Sequence, residues 1–117
     1  MNVFQKIKSV LILREAIIRA DKAHEESGNR YYVMPLQHTR KLIIMDRFNF
    51  RKMKQKGYIP QKVFVHDLER ECFYFTPYKD GSKKIDHDLM VYKRKEYFKW
   101  YQSCVTRKSR KNGKQKK

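Results

Sequence analysis

Arg30-Tyr31-Tyr32-Val33-Met34, then Pro35-Leu36-Gln37-His38-Thr39-Arg40, then Lys41-Leu42-Ile43-Ile44-Met45 is the stretch that decides the fold class. The two outer runs are rich in aromatic and β-branched residues, which suit a pleated and half-buried surface. The polar segment between them, opened by a proline, reads as the loop of a β-hairpin. Pro35 has no N–H to give to a ladder, so the first strand is expected to be an edge strand or to end there. Two strands alone are barely stable in water. The hairpin must therefore lie on a helix, and the expected class is α+β.

Working outward, residues 3–26 carry Phe4, Ile7, Val10, Leu11, Ile17 and Ile18 at spacings of three, four and seven. That periodicity predicts an amphipathic helix with these residues on the face turned to the core. Arg14 interrupts the stripe. Asn2 followed by Gln5 reads as a capping box, and Gly28 stands where a left-handed C-terminal cap is needed.

On the other side of the hairpin, Asp46 reads as the N-cap of a short helix ending at Gly57, with Phe48, Phe50 and Met53 inward and Tyr58-Ile59 closing the end. Val63–Val65 could form a short strand. The spacing of Val65, Leu68, Cys72 and Phe75 favours a helix over His66–Tyr74 instead, stopped by Pro77. Asp80-Gly81 marks a turn. Asp86 is expected to cap a final helix over about residues 87–107, whose Tyr97, Trp100, Tyr101 and Cys104 make a core-facing stripe. The organisation expected is one α+β domain over residues 1–105, with long first and last helices and one or two short ones. A disordered basic tail should follow over residues 106–117, where no large apolar residue offsets the entropy of ordering.

The chain has 117 residues, 29 Lys and Arg against 12 Asp and Glu, and a net charge of +17. No apolar run approaches the ~20 residues of a membrane-spanning helix, and nothing resembles a secretory leader. A reducing cytoplasm, or the inside of a virion, is the expected location, with Cys72 and Cys104 as free thiols. The charge is not spread evenly: residues 40–62 hold +7 and residues 106–117 another +7, whereas residues 63–92 sum to −2. Concentrated cations are footprints for a phosphate backbone more readily than aids to solubility.

The candidate nucleic-acid-binding residues are therefore Arg40, Lys41, Arg47, Arg51, Lys52, Lys54 and Lys56 in the first block, Lys93, Arg94, Lys95 and Lys99 on the final helix, and Arg107, Lys108, Arg110 and Lys111 in the tail. Aromatic residues interleaved with the cations of the final helix could stack on unpaired bases. No base-reading motif accompanies them, so a non-enzymatic accessory protein with weak sequence preference is expected, bound to DNA or RNA through phosphates.

Two other readings remain open at this level. One is a structural component of a large assembly, such as a virion or a ribonucleoprotein particle. The other is a metal-dependent nuclease built from His66-Asp67, Asp86-His87-Asp88, Glu69 and Glu71 with Lys83 or Lys84. No pair of Cys or His residues has zinc-ligand spacing, and no phosphate loop or nucleophile motif occurs. Accordingly no metal, cofactor, catalytic residue or small-molecule substrate is assigned. The run Arg30–Met34, the stretch Lys41–Gly57 and the aromatic, basic end of the chain resemble short proteins of bacterial phages and mobile elements. That likeness implies no particular activity or site residue.

Overall fold

The computed structural model describes residues 2–37 and 39–105, and beyond residue 105 only the backbone path of the last helix. Helix α1 (Val3–Ser27) is followed by strands β1 (Tyr31–Pro35) and β2 (Leu42–Asp46), then by helix α2 (Arg47–Gln55). A 3-10 turn over Val65–Asp67 runs into the short helix α3 (Leu68–Glu71), which precedes strand β3 (Tyr74–Phe75) and the long helix α4 (His87–Gln115). The class is α+β, as the hairpin requires. The reading of residues 106–117 as a disordered tail lies outside the described residues, and so do Arg107, Lys108, Arg110 and Lys111.

The helix ends follow from local chemistry. Asn2 Oδ1 accepts from the Gln5 amide at 2.8 Å while Gln5 Oε1 accepts from the Asn2 amide at 3.2 Å, closing the capping box. Gly28 ends α1 at φ 80°, and its N–H donates to the His24 carbonyl at 2.7 Å. A side chain there would be strained by the backbone angle, and its Cβ would meet Lys79 Cγ at 3.1 Å. Asp46 and Asp86 cap α2 and α4 by accepting the Asn49 and Leu89 amides at 2.9 and 2.7 Å.

The hairpin pairs Tyr31 with Asp46 and Pro35 with Leu42 in antiparallel register. Its first strand ends at Pro35, one of the two expected alternatives, but is not at an edge: β3 pairs on its other side through Tyr32 and Val33, so the sheet order is β2-β1-β3. Pro35 is tolerated because β3 is only two residues long and leaves the end of β1 unpaired on that side. The helix expected over His66–Tyr74 correspondingly stops at Glu71. Phe73-Tyr74-Phe75 favours extended backbone, and the Phe73 and Thr76 amides donate to the Val33 and Tyr31 carbonyls at 2.8 and 3.0 Å. Val63–Val65 forms no strand.

α1 lies on β1 and β2, but of its predicted stripe only Ile17 packs against the core, and the rest of the buried face lies on the other side of the helix. Ser9, Leu13, Ala16 and Ala20 are buried, whereas Phe4 is 84% exposed and Val3, Ile7, Val10, Leu11 and Ile18 are exposed with it. Small side chains let the helix backbone approach the sheet closely, and that fit outweighs apolar content in choosing the face. The Ser9 carbonyl receives the Tyr97 hydroxyl, tying α1 to α4. Burial pushes that hydroxyl's pKa up. Tyr97 and Tyr101 are fully buried and form an aromatic cluster with Phe73, Phe98 and Trp100.

Both cysteines are free thiols. Burial pushes the Cys72 thiol up to about 11, with the Lys93 ammonium opposing the shift only in part. A pKa raised above the ordinary thiol value keeps Cys72 protonated, hence unreactive, at neutral pH. Alkylation of the native protein at pH 7–8 is expected to label the half-buried Cys104 first and Cys72 only after unfolding. Mass mapping of the labelled peptides reads the order, and equal labelling of both in the folded state would overturn it.

Candidate nucleic-acid interface

α2 presents Arg47, Arg51, Lys52 and Lys56 to solvent, with Lys54 half-buried beside them. Phe50 is buried beneath the helix, which packs mainly on β2. Phe48 was expected inward with Phe50 but is 70% exposed. Residues two apart lie on opposite sides of a helix, so Phe48 and Phe50 could not share one face. That spacing is the sequence signal for the exposed ring. The Arg47 guanidinium sits 5.5 Å from its centroid.

The hairpin tip adds to this surface. The Leu36 amide donates to the Lys41 carbonyl at 3.0 Å, holding the tip closed, and the Gln37 amide donates to the Tyr58 carbonyl at 3.0 Å, joining it to the end of α2. Cys104 Sγ lies 3.8 Å from the Thr39 carbonyl, so α4 arrives at the same tip just before the residues of the second basic block. Arg40, Lys41 and the α2 cations are thereby gathered at connected elements. None of these seven residues is ion-paired to a carboxylate among the described residues.

The final helix divides differently. Arg94, Lys95 and Lys99 are exposed on its outer face, and Lys99 is within 3.4 Å of Glu96. Lys93 does not belong to any nucleic-acid surface. It is only 3% exposed, and its ammonium donates to the carbonyls of Glu69, Arg70 and Cys72 at 2.7, 3.2 and 2.7 Å. The last carbonyls of a helix have no internal partner; one lysine satisfies those at the end of α3.

The aromatic rings free for stacking are likewise not those of the α4 stripe, since Tyr97 and Tyr101 are core. Apart from Phe4 at the start of α1, they are Phe48, Tyr58, Phe64 and Tyr78, with Tyr92 on the outer face of α4. Phe64 carries the Lys54 ammonium 4.1 Å from its centroid and stacks with His66 at 5.9 Å and 4°. Cations and rings therefore alternate along α2 and the turn beside it.

No family model, curated protein or solved structure matches the chain.

Of the carboxylates considered for a nuclease, Asp67, Glu69, Glu71 and Asp86 have structural partners. Asp67 accepts from the Phe64 amide at 2.9 Å and from Arg70 at 2.7 Å, and these bonds, the backbone one foremost, hold its pKa below the usual carboxylate range. Asp86 caps α4. Among the described residues, no three His, Cys, Asp or Glu side chains are grouped so as to hold a metal ion. No helix among those residues is long and apolar enough to cross a membrane.

Proposed function

We propose that the chain is a non-enzymatic nucleic-acid-binding protein that grips phosphates with the hairpin tip and the outer face of α2. The observation that carries this reading is that seven cations lie on two elements joined by backbone hydrogen bonds and, among the described residues, are free of carboxylate partners. A surface of unpaired cations gains affinity for a polyanion by releasing its condensed counterions. Arg40, Lys41, Arg47, Arg51, Lys52, Lys54 and Lys56 would engage the phosphates, with Arg94, Lys95 and Lys99 as a second set on α4. The basic residues beyond 105 would add to them.

A salt titration tests the reading. With about seven phosphates engaged, log affinity should fall with log salt at a slope near −5 for single strands and −6 for duplex. A slope between 0 and −1 would overturn it.

One observation favours a second reading, that of a component in a larger protein assembly. Phe4, Ile7, Leu11 and Ile18 form an exposed apolar stripe along α1, and such patches mark interaction sites more often than accidents of composition. Sedimentation of the free protein in the same buffers separates the two readings. A monomer at all salt concentrations favours nucleic acid alone, whereas self-association that strengthens as salt screens the charge supports the assembly.

A further inference from the structure

A cleft of about 390 Å³ opens where α1 ends, between the start of α2 and the turn after β3. That is a volume typical of small-ligand pockets. Arg30, Arg47, Phe48, His66, Tyr78 and Lys79 are among the residues that line it. Its chemistry is that of a nucleotide: flat apolar rings for a base and cations for the phosphates beside it.

Arg30 is the built part of the site. It is 6% exposed and lies between the rings of Phe75 and Tyr78, each 4.3 Å from the guanidinium carbon. Nε donates to the Thr76 carbonyl at 3.0 Å and Nη2 to the Lys83 carbonyl at 3.2 Å, while Nη1 is buried with no acceptor among the described residues. A buried donor left without a partner costs free energy unless something supplies the acceptor.

Among the described residues, the two carboxylates at the cleft leave Arg47 and Lys79 unpaired, although Glu69 is paired with Arg30. Asp46 is occupied by the Asn49 amide, the Asn49 side chain and Asn29. Glu69 lies 3.7 Å from Arg30, and Arg47 and Lys79 have no carboxylate partner among the described residues. Phe48 and Tyr78 are both exposed at the cleft, each with a guanidinium beside its ring, Arg47 at 5.5 Å and Arg30 at 4.3 Å. Lys54, Phe64 and His66 continue the alternation of cation and ring from the cleft along α2.

We infer that this cleft receives a base splayed out of a single-stranded nucleic acid, stacked against Phe48 and Tyr78, with Arg47 and Lys79 on the flanking phosphates. The inference rests on the nucleic-acid reading of the α2 surface and deepens it. A duplex keeps its bases stacked on one another and cannot fill the cleft. Stacking on a protein ring is sequence-tolerant, because every base has a π-face, which agrees with the lack of base-reading motifs.

The experiment uses the full chain, a labelled thymidine oligonucleotide, a uridine oligonucleotide of the same length and a duplex, each titrated at several salt concentrations. Phe48→Ala and Tyr78→Ala are expected to weaken both single strands by about tenfold each, or ~1.4 kcal/mol, with duplex affinity within twofold and the salt slope unchanged. Both side chains are exposed, and the thermal midpoint of each variant confirms the fold. Single-strand affinity that is unchanged by both substitutions, or lost equally for duplex, overturns the cleft while leaving a steep salt slope to support the α2 surface. Absence of binding to all three polymers by the parent chain overturns both.

Discussion

Replacing Lys41, Arg51, Lys52 and Lys56 together with glutamine is expected to lower affinity for nucleic acid about a thousandfold at 0.1 M salt. All four are exposed, and none lines the cleft or touches a ring. Each cation seated on a phosphate contributes about 0.7–0.9 to the slope of log affinity against log salt, hence about that many decades at 0.1 M relative to 1 M. Neutralising four of them removes roughly three decades, and the slope should flatten by about 3. Surface substitutions of this kind move stability by about 0.5 kcal/mol or less each, so unfolding cannot mimic the result. A quadruple variant that binds within threefold of the parent, with the same slope, would show that the cations of this face do not touch the polymer.

Lys93→Met should act on the fold instead. Methionine keeps most of the length and apolar bulk of the stem but brings no donor, so the Glu69, Arg70 and Cys72 carbonyls all lose the ammonium at once. A buried acceptor left unpaired costs about 1–3 kcal/mol. With some relief from water at the Arg70 carbonyl, the farthest of the three, a total near 3 kcal/mol is expected. For a domain of this size that lowers the thermal midpoint by about 10–20 °C, and it removes a large share of the ~5–15 kcal/mol that holds such domains folded. The junction of α3, β3 and α4 should loosen first, because that is where the three carbonyls converge. Arg94→Met, one residue along on the exposed face, is the control and should melt with the parent. Were Lys93→Met instead to melt normally and bind nucleic acid weakly, the lysine would have to be reassigned to the surface.

Much of the architecture is visible in the sequence because it rests on local chemistry. Asn2 with Gln5, Gly28, Asp46 and Asp86 set helix ends through side chains within a few residues of the groups they satisfy, and the Tyr31–Asp46 hairpin follows from residue type and a proline-led loop. What is not visible depends on distant partners. The buried face of α1 is lined by the small Ser9, Ala16 and Ala20 beside Leu13, a matter of shape that counting apolar residues misses. β3 is too short to show a period, and only its pairing with Tyr32 and Val33 makes it a strand.

The interface divides along the same line. The cations of residues 40–56 are identifiable as a block from charge alone. Lys93 is indistinguishable in sequence from Arg94 and Lys95, because only the fold brings three carbonyls to its ammonium. The cleft is equally silent, for its lining is drawn from four separate parts of the chain. Its one local signal is the pair Phe48 and Phe50, whose spacing forces one ring outward.

The hydroxyl of Tyr97 and the carbonyl of Ser9 that it meets are 88 positions apart. A ribosome adding roughly 5–20 residues per second delivers the second partner about 4–18 s after the first. Throughout that interval α1 has β1 and β2 to pack on but lacks the Tyr97 hydroxyl from the α4 side. Completion of the domain therefore waits on the chain as far as Tyr97, and a chain cut before that residue lacks the tie between α1 and α4.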